Sequence, residues 1–320
     1  MYNFWQNLPK PFFILAPMEN VTDFVFREII AQEAKPDVIF TEFTSADGLF
    51  SKGRNQTIHK LKYSPIQRPI VAQIWGNNPQ KMYSAAKLVQ DLKFDGIDIN
   101  MGCPDRGIIR KGAGAGLIGN YKLTKEIIEA VKKGAPNLPL SIKTRIGLDT
   151  VITEEWIGYL LRQKIHALTV HGRTAKQMSK GKANWKEVHR TTWIKDKISP
   201  NTVLIGNGDI TSYEQATKIY DTYSVDGIMI GRGIFANPWI FAPHDNSKAR
   251  SRQQYVELLL RHLKLQEETW GSTKHFDVMK KFFKMYINNF KGANLLRQKL
   301  METTNSTQVE KILLTNLDLS

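Results

Sequence analysis

The chain has 320 residues, with 45 Lys and Arg against 30 Asp and Glu, which gives a formal net charge of +15. Its 42% hydrophobic and 23% charged residues are typical of a folded protein and exclude a disordered or fibrous one. The positive excess favours nucleic acid or an anionic membrane surface as a partner, with simple solubility charge as the alternative. The single cysteine, Cys103, excludes a disulfide within the chain and a multi-thiolate zinc site, and fits a reducing, cytoplasmic compartment.

The start of the chain does not resemble a secretory signal, because Met1–Pro11 lacks a charged segment followed by a long apolar run. No stretch of about 18 residues is apolar enough to span a membrane. We therefore expect neither a secreted nor a membrane-embedded protein.

Short apolar runs alternate with helical patterns along the first 233 residues. The continuous apolar character of these runs is typical of strands buried on both faces of a parallel sheet. The predicted strands are Phe12–Pro17, Val38–Phe43, Pro69–Gly76, Gly96–Gly102, Pro139–Gly147, Ala167–Gly172, Thr202–Ile210 and Asp226–Gly233. Helices are predicted at Thr22–Glu33 with Thr22 as N-cap, Asn78–Lys93, Lys122–Gly134, Thr153–Lys164, Trp185–Lys197 and Ser212–Tyr223. Eight strands with these connections predict a (β/α)₈ TIM barrel.

The strand pattern stops after Pro243. Residues 244–252 are polar and basic and are predicted to link a barrel of residues 1–243 to a small all-helical domain of residues 253–320. Apolar stripes of helical spacing run through Val256, Leu259, Leu260 and Leu263, and through Phe276, Met279, Phe283, Tyr286 and Phe290. Further helices are predicted at Leu295–Met301 and Gln308–Leu314. Lysines opposite the aromatic stripe, with almost no acid among them, are either a solvated face or phosphate contacts: Lys274, Lys280, Lys281, Lys284 and Lys291.

Every predicted strand ends in polar or glycine-rich residues, where the active sites of TIM barrels lie. The last two ends, Asn207-Gly208-Asp209 and Gly231-Arg232-Gly233, predict a phosphate site built from backbone N–H groups and one guanidinium. Lys143 is predicted to point inward at a group that becomes anionic, with Gln73 and His171 holding a planar heterocycle. Together these residues predict a flavin mononucleotide (FMN) site.

Cys103 stands just past the fourth strand in a loop that also holds Arg106, Arg110 and Lys111. A lone cysteine is most often a small buried hydrophobe, but a basic and partly exposed loop favours a reactive thiol. A thiol can donate a proton to a developing carbanion, so we predict Cys103 to be a general acid.

An ordered set of motifs over nearly the whole barrel resembles the tRNA-dihydrouridine synthase family. Its members are Ala16-Pro17-Met18, Gln73, Asn100-x-Gly102-Cys103-Pro104, Gly112-Ala113-Gly114-Ala115-Gly116-Leu117, Lys143-x-Arg145, His171-Gly172-Arg173, Asn207-Gly208-Asp209 and Gly231-Arg232-Gly233. The tail also resembles the family's helical tRNA-binding domain, at Met279-x-Lys281, Tyr286, Lys291-Gly292-Ala293 and Leu296-Arg297. Positions 19–21, 75 and 105–106 depart from the family's usual residues, which leaves the modified uridine position open.

The resemblance implies an FMN enzyme that reduces the 5,6-double bond of selected tRNA uridines with NADPH as electron donor and Cys103 as proton donor. FMN would be held by Pro17, Met18, Gln73, Lys143, His171, Asn207, Gly208, Asp209, Gly231 and Arg232. The substrate would be bound by Asn100, Arg145, Arg173, Lys280, Lys281 and Lys284. It also implies tRNA as the partner, and we expect a monomer with no metal.

Two other functions are weighed against this one. A dihydroorotate dehydrogenase-like reductase of a free pyrimidine would share the flavin barrel but lack the basic helical tail. A non-catalytic RNA-binding protein on a decayed barrel predicts lost strand-end residues, and the key ones are present. A Rossmann fingerprint fails because Leu117 occupies its last glycine position, and neither a Walker loop nor a metal-binding histidine spacing occurs.

Overall fold

The computed structural model describes residues 2–242, 250–288 and 290–317, and the strands between residues 12 and 230 form a closed parallel barrel. The strands are β1 Phe12–Leu15, β2 Val38–Phe40, β3 Thr44–Ser45, β4 Ile70–Trp75, β5 Gly96–Met101, β6 Leu140–Arg145, β7 Ala167–His171, β8 Val203–Asn207 and β9 Gly227–Ile230. Strand β1 pairs with both β2 and β9, and β2 pairs with β4, which closes the ring. The two-residue β3 only extends the edge of β4. The predicted eight-stranded TIM barrel is confirmed.

The strands are shorter than predicted at their C-terminal ends. The first predicted strand ends at Leu15 instead of Pro17, and the seventh at Asn207 instead of Ile210. Many of the residues removed from the strands are polar or glycine, among them Gly208, Asp209, Gly231 and Arg232, and they lie beyond the sheet at the mouth of the barrel. The boundary error therefore falls on the residues that build the site.

The α-helices of the barrel alternate with the strands. They are α1 Phe24–Glu33, α2 Ala46–Leu49, α3 Arg54–Ile58, α4 Pro79–Asp91, α5 Arg106–Arg110, α6 Tyr121–Gly134, α7 Thr153–Leu161, α8 Trp185–Ile198 and α9 Tyr213–Tyr223. The prediction of Thr22 as the first N-cap is wrong. Asp23 caps α1 by accepting a hydrogen bond from the Phe26 N–H at 3.0 Å, while the Thr22 hydroxyl bonds Met18 in the preceding turn.

The N-terminal end of the barrel is plugged by apolar side chains. A 3₁₀ helix, Phe4–Asn7, places Trp5 with its ring centroid 6.3 Å from those of both Phe12 and Phe40. Both Phe12 and Phe40 are completely buried. With this end filled, the open space of the barrel is confined to the C-terminal ends of the strands.

The remaining α-helices form the helical tail: α10 Arg252–Trp270, α11 Phe283–Tyr286, α12 Ala293–Met301 and α13 Ser306–Leu317. The predicted aromatic stripe is not one α-helix, because Phe276–Phe282 is a 3₁₀ helix that runs directly into α11. Its core role is still visible, since Met279, Phe283 and Tyr286 are buried. The predicted linker falls largely on residues 243–249, outside the described residues, and Ser251 already caps α10.

The helical tail packs directly on α1 of the barrel. The Phe282 ring stacks on Phe26 at 5.3 Å, and Asp23 accepts hydrogen bonds from the Trp270 indole at 3.1 Å and from Lys274 at 2.7 Å. Both Phe26 and Phe282 are almost completely buried, so separation of the tail would expose apolar surface. No helix in the described ranges is long and apolar enough to cross a membrane.

Candidate active site

A pocket of about 460 Å³ opens at the C-terminal ends of the barrel strands, within the usual size range of small-molecule sites. Most of the predicted cofactor residues line it. They are Pro17, Met18, Lys143, His171, Asn207, Gly208, Asp209, Gly231 and Arg232. Of the predicted substrate residues, Arg145 and Arg173 line it as well. The structure therefore brings together side chains from strands that are as much as 215 residues apart in sequence.

One end of the pocket is formed by the loops after β8 and β9. The Arg232 side chain is 63% exposed there, and its guanidinium lies 3.6 Å from an Asp209 carboxylate oxygen. A Cβ on Gly233 would lie 2.1 Å from the Ile210 carbonyl oxygen, so only glycine allows these two loops to touch. An exposed guanidinium beside close-packed glycine backbone suits a phosphate group.

The other end of the pocket holds the inward side chains of β6 to β8. The Lys143 ammonium donates to the Asn207 side-chain oxygen at 3.3 Å, and Asn207 in turn donates to the Met229 carbonyl at 2.8 Å. Burial, together with the positive charge of Arg145, lowers the pKa of Lys143 to about 8. At neutral pH Lys143 is thus a cation in a poorly hydrated site, which suits a ligand that carries or develops negative charge.

His171 is held as a neutral ring. Its Nε2 lies 3.1 Å from an Arg173 guanidinium nitrogen, which can only donate, so Nδ1 carries the proton of the neutral ring. Burial and the positive charges of Lys143 and Arg145 lower the pKa of His171 well below its usual value. His171 can thus offer an N–H donor to a ligand without adding charge.

Arg173 and Asp209 act on each other and on the surrounding loop. The Arg173 side chain is 2% exposed, bonds the Asp209 carboxylate and donates to the carbonyls of Lys180 and Gly181. Partial burial raises the pKa of Asp209, but the bond from Arg173 outweighs it and the net pKa is lowered. Arg173 therefore fixes the pocket wall, and the Asp209 carboxylate orients the two arginines, since an anion cannot itself hold a phosphate.

Arg145 connects two loops at the mouth. Its Nε donates to the Gly102 carbonyl at 2.7 Å, and its Nη1 donates to the carbonyls of Thr174 and Met178 at 3.0 and 2.9 Å. Nη2 has no partner among the described residues, so this nitrogen can reach a ligand. Arg145 thus joins the loop before Cys103 to the loop after β7.

Cys103 lies beside the pocket, half-buried, and is not among its lining residues. Its backbone N–H donates to the Asn100 side-chain oxygen at 2.9 Å. Gly114, at φ +56°, packs beneath it so closely that a Cβ there would lie 3.2 Å from the Cys103 Cβ. Burial raises the pKa of the Cys103 thiol above its ordinary value. The group is therefore a protonated thiol at neutral pH.

Two predicted residues, Gln73 and Asn100, are not among the residues that line the pocket. Gln73 is fully buried and donates to Asp98 at 2.8 Å, while its oxygen accepts from Asn100 at 2.8 Å. Asp98 was missed as a site residue. A carboxyl group inside the apolar run Gly96–Met101 is the signal that could have found it. Burial raises the pKa of Asp98 to about 7, against hydrogen bonds from Ser141 and Gln73 that lower it.

The tail lysines are not one free basic face. Lys274 is paired with Asp23, Lys280 with Asp277 at 2.7 Å, and Lys281 donates to the Asn20 carbonyl of the barrel. The expectation of a face with almost no compensating acid is wrong, because one acid is Asp23 at the N-cap of α1, which is 251 residues from Lys274 in sequence. Lys284 is exposed to solvent.

Residues at two positions that depart from the family pattern have visible local roles. Glu19 pairs with Lys60, and Asp105 caps α5 by accepting from the Ile108 N–H at 3.0 Å. Among the described residues, no three His, Cys, Asp or Glu side chains are grouped in a way that could hold a metal ion.

Comparison with known proteins gives the family. The dihydrouridine synthase (Dus) family model matches residues 14–319. A probable tRNA-dihydrouridine synthase of Staphylococcus epidermidis and probable tRNA-dihydrouridine synthase 2 of Bacillus subtilis are each 40% identical over 314 residues, covering 97% of this chain and 95% of theirs. A solved 2-naphthoyl-CoA reductase complex shares the fold alone, with a TM-score of 0.56 at 11% identity over 74% of this chain and 52% of that one. The family match favours the first of the three functions weighed from sequence, and the chain belongs to the dihydrouridine synthase family.

Proposed function

We propose that this protein is a tRNA-dihydrouridine synthase that uses FMN and NADPH to reduce the 5,6-double bond of uridines in tRNA. The observation that carries the proposal is the pocket at the barrel mouth, with Arg232 and glycine backbone at one end and Lys143 at the other. This donor set fits FMN, whose phosphate needs the first end and whose ring becomes anionic on reduction. The family membership and the names of the relatives support the choice of tRNA as substrate.

The residues of the site would have two roles: most would bind the flavin, and one would donate a proton. When bound, FMN would supply hydride-transfer chemistry, with NADPH as the source of the hydride and C6 of uracil as its acceptor. Arg232 and the N–H groups around Gly208 and Gly231 would hold the phosphate, and Met18 and Pro17 would provide an apolar wall. Lys143, charged below about pH 8, would stabilise negative charge on the ring. His171 would donate a hydrogen bond from Nδ1.

Cys103 would supply the proton that completes the reaction at C5 of uracil. A general acid must hold its proton until the substrate develops negative charge, and the raised pKa of the Cys103 thiol meets that requirement. Arg145 and Asn100 tether the backbone on either side of the Gly102–Cys103 bond, so they would hold the thiol at the mouth.

The mouth of the barrel is basic enough to hold RNA. Exposed cations lie on α5, just after it, and on the loop after β7, and both segments follow C-terminal strand ends: Arg106, Arg110, Lys111, Lys176, Lys180 and Lys182. A uridine inside a folded RNA must be flipped out to reach such a pocket, and phosphate contacts around the opening supply the binding energy for flipping. We further infer a monomer that works in the cytoplasm, where tRNA and NADPH are available.

Flavin binding is the first test of this proposal. We expect the protein to purify with a yellow chromophore, or to bind added FMN, and we expect NADPH to bleach the flavin absorbance without air. Absorbance spectra before and after NADPH addition measure both steps. A colourless preparation that also fails to take up FMN would rule the proposal out.

Contact between tRNA and the helical tail is tested at Lys284. We expect Lys284→Glu to weaken tRNA binding and to lower the slope of log Kd against log salt, because one phosphate contact is lost. Electrophoretic mobility shifts at three salt concentrations measure both quantities. Lys264→Glu is the matched control, since Lys264 is exposed on α10 and lies 3.9 Å from Glu268. Equal affinities and slopes for the two variants would show that Lys284 does not touch tRNA.

A further inference from the structure

A continuous chain of buried hydrogen bonds crosses three barrel strands and ends at the backbone of Cys103. Ser141 donates to Oδ1 of Asp98 at 2.6 Å, and Gln73 donates to Oδ2 of the same carboxyl at 2.8 Å. Asn100 donates to the Gln73 oxygen at 2.8 Å and accepts from the Gly102 and Cys103 N–H groups at 3.0 and 2.9 Å. We call Asp98, Gln73 and Asn100 the inner relay.

The barrel register brings the inner relay together. Gln73 of β4 is registered with Asp98 of β5, and Asp98 with Ser141 of β6, so these side chains share one layer of the barrel interior. Asp98 and Gln73 are 0% exposed and Asn100 is 6% exposed. Water cannot replace a lost partner at such depth, so each polar atom depends on its neighbour in the chain.

The hydrogen bonds of the inner relay all run in one donor-to-acceptor direction, and this order requires an acceptor at position 98. The Asn100 oxygen must accept from two backbone N–H groups, so its nitrogen must donate to the Gln73 oxygen. The Gln73 nitrogen must then donate onward, and Oδ2 of Asp98 is its acceptor. Oδ2 accepts whether the carboxyl is ionised or carries a proton on Oδ1, so the direction holds in either state.

We propose that Asp98 and Gln73 are positioning residues that act through Asn100 to hold the Gly102–Cys103 backbone, and thereby aim the Cys103 thiol at the substrate. Orientation of the thiol toward the substrate matters only if Cys103 is the proton donor, so this half of the proposal rests on the proposed function. The holding of the loop does not, because it follows from the hydrogen bonds alone. Asp98 touches neither the pocket nor the thiol and acts entirely through its neighbours.

Alkylation of Cys103 tests the holding of the loop without any need for activity, because the chain has one cysteine. The measurement is the rate of reaction of the purified protein with iodoacetamide across a pH series. We expect Asp98→Leu to react about tenfold faster than wild type, the effect of about 1.4 kcal/mol of lost hydrogen bonding. Gln73→Met removes the middle of the relay, should do the same, and serves if Asp98→Leu fails to fold.

Two matched controls isolate the relay. Asp98→Asn removes the charge but keeps an oxygen that accepts from Gln73, while its nitrogen can donate to Ser141. Ser141→Ala removes a buried hydrogen bond to Asp98 but leaves the relay connected. Both should react within about twofold of wild type. Reaction rates that are the same for Gln73→Met, Ser141→Ala and wild type would overturn the proposal.

Asp98 also favours the charged form of Lys143. Separate measurements of flavin reduction by NADPH and flavin reoxidation by tRNA distinguish that effect from the positioning of Cys103. In Asp98→Leu we expect flavin content and reduction by NADPH to be unchanged, and reoxidation by tRNA to be about tenfold slower. Lost flavin or slow reduction with normal alkylation would assign Asp98 to the flavin side and overturn the relay. If wild-type protein reduces no uridine at all, the proposed function fails, and the alkylation rates still decide whether the relay holds the loop.

Discussion

Replacement of Cys103 by alanine is expected to lower dihydrouridine formation by a factor of about 10² to 10⁴ while flavin binding is retained. The physical reason is that the thiol, with its raised pKa, is the proposed proton donor, and it lies beside the pocket without forming part of its lining. Single-turnover reoxidation of the reduced protein by tRNA measures the loss directly. The flavin spectrum of the variant should match that of wild type.

Cys103→Ser is the companion variant for this prediction. Its hydroxyl preserves the size and hydrogen-bonding capacity of the thiol but is a far weaker acid, so we expect it to lie close to the alanine variant. Reduction by NADPH should be normal in both, which assigns the defect to the tRNA step. Turnover near that of wild type in Cys103→Ala would remove the assigned role.

Replacement of Asp23 by alanine is expected to lower the free energy of unfolding by about 3 kcal/mol. Three donors lose their acceptor at once, namely the Phe26 N–H that Asp23 caps, the Trp270 indole N–H and the Lys274 ammonium. Loss of a cap costs about 1 kcal/mol, and buried donors left without partners cost about 1 to 3 kcal/mol more. Urea unfolding followed by circular dichroism measures the change.

The Asp23 contribution should depend on pH in a defined direction. Burial raises the pKa of Asp23, but Lys274 outweighs it, so the folded pKa lies below the unfolded value of about 3.9. The stabilisation is therefore complete above that value and is lost as pH falls through the folded pKa. The gap between Asp23→Ala and wild type should narrow in acid.

Asp277→Ala is the matched control for Asp23, because it removes an exposed partner of Lys280 in the same tail. Solvent screens an exposed ion pair of this kind, so its loss should change the free energy of unfolding very little. Equal unfolding free energies for Asp23→Ala and Asp277→Ala would contradict the claim that the hydrogen bonds of Asp23 to the tail stabilise the fold.

The barrel and most of the pocket could be predicted because their signals are local. Each strand is a short apolar run, and each polar strand end follows it directly in sequence, as at Asn207 and Gly231. A TIM barrel then fixes the meeting point of these ends without any knowledge of distant contacts. The error at the strand boundaries has the same origin, since apolar and small residues continue past Leu15 into the mouth.

The hydrogen-bond partners of the site could not be predicted, because they depend on register between segments far apart in sequence. Gln73 has a residue type that suits a flavin contact, yet β4 and β5 align it with Asp98, and both its amide atoms are engaged there. Arg173 is likewise satisfied by Asp209. The pairing of Lys274 with Asp23 depends on how the tail docks on α1, which no local pattern specifies.

The central claim is that this barrel transfers hydride to uridine in tRNA. Its most direct test is incubation of the purified protein with NADPH and an unmodified tRNA transcript, followed by nuclease digestion and mass spectrometry of the nucleosides. We expect dihydrouridine at defined positions, dependent on NADPH and on Cys103, with a gain of two hydrogens per modified uridine. A flavin-loaded protein that consumes NADPH but leaves every uridine of the transcript unchanged would contradict the claim.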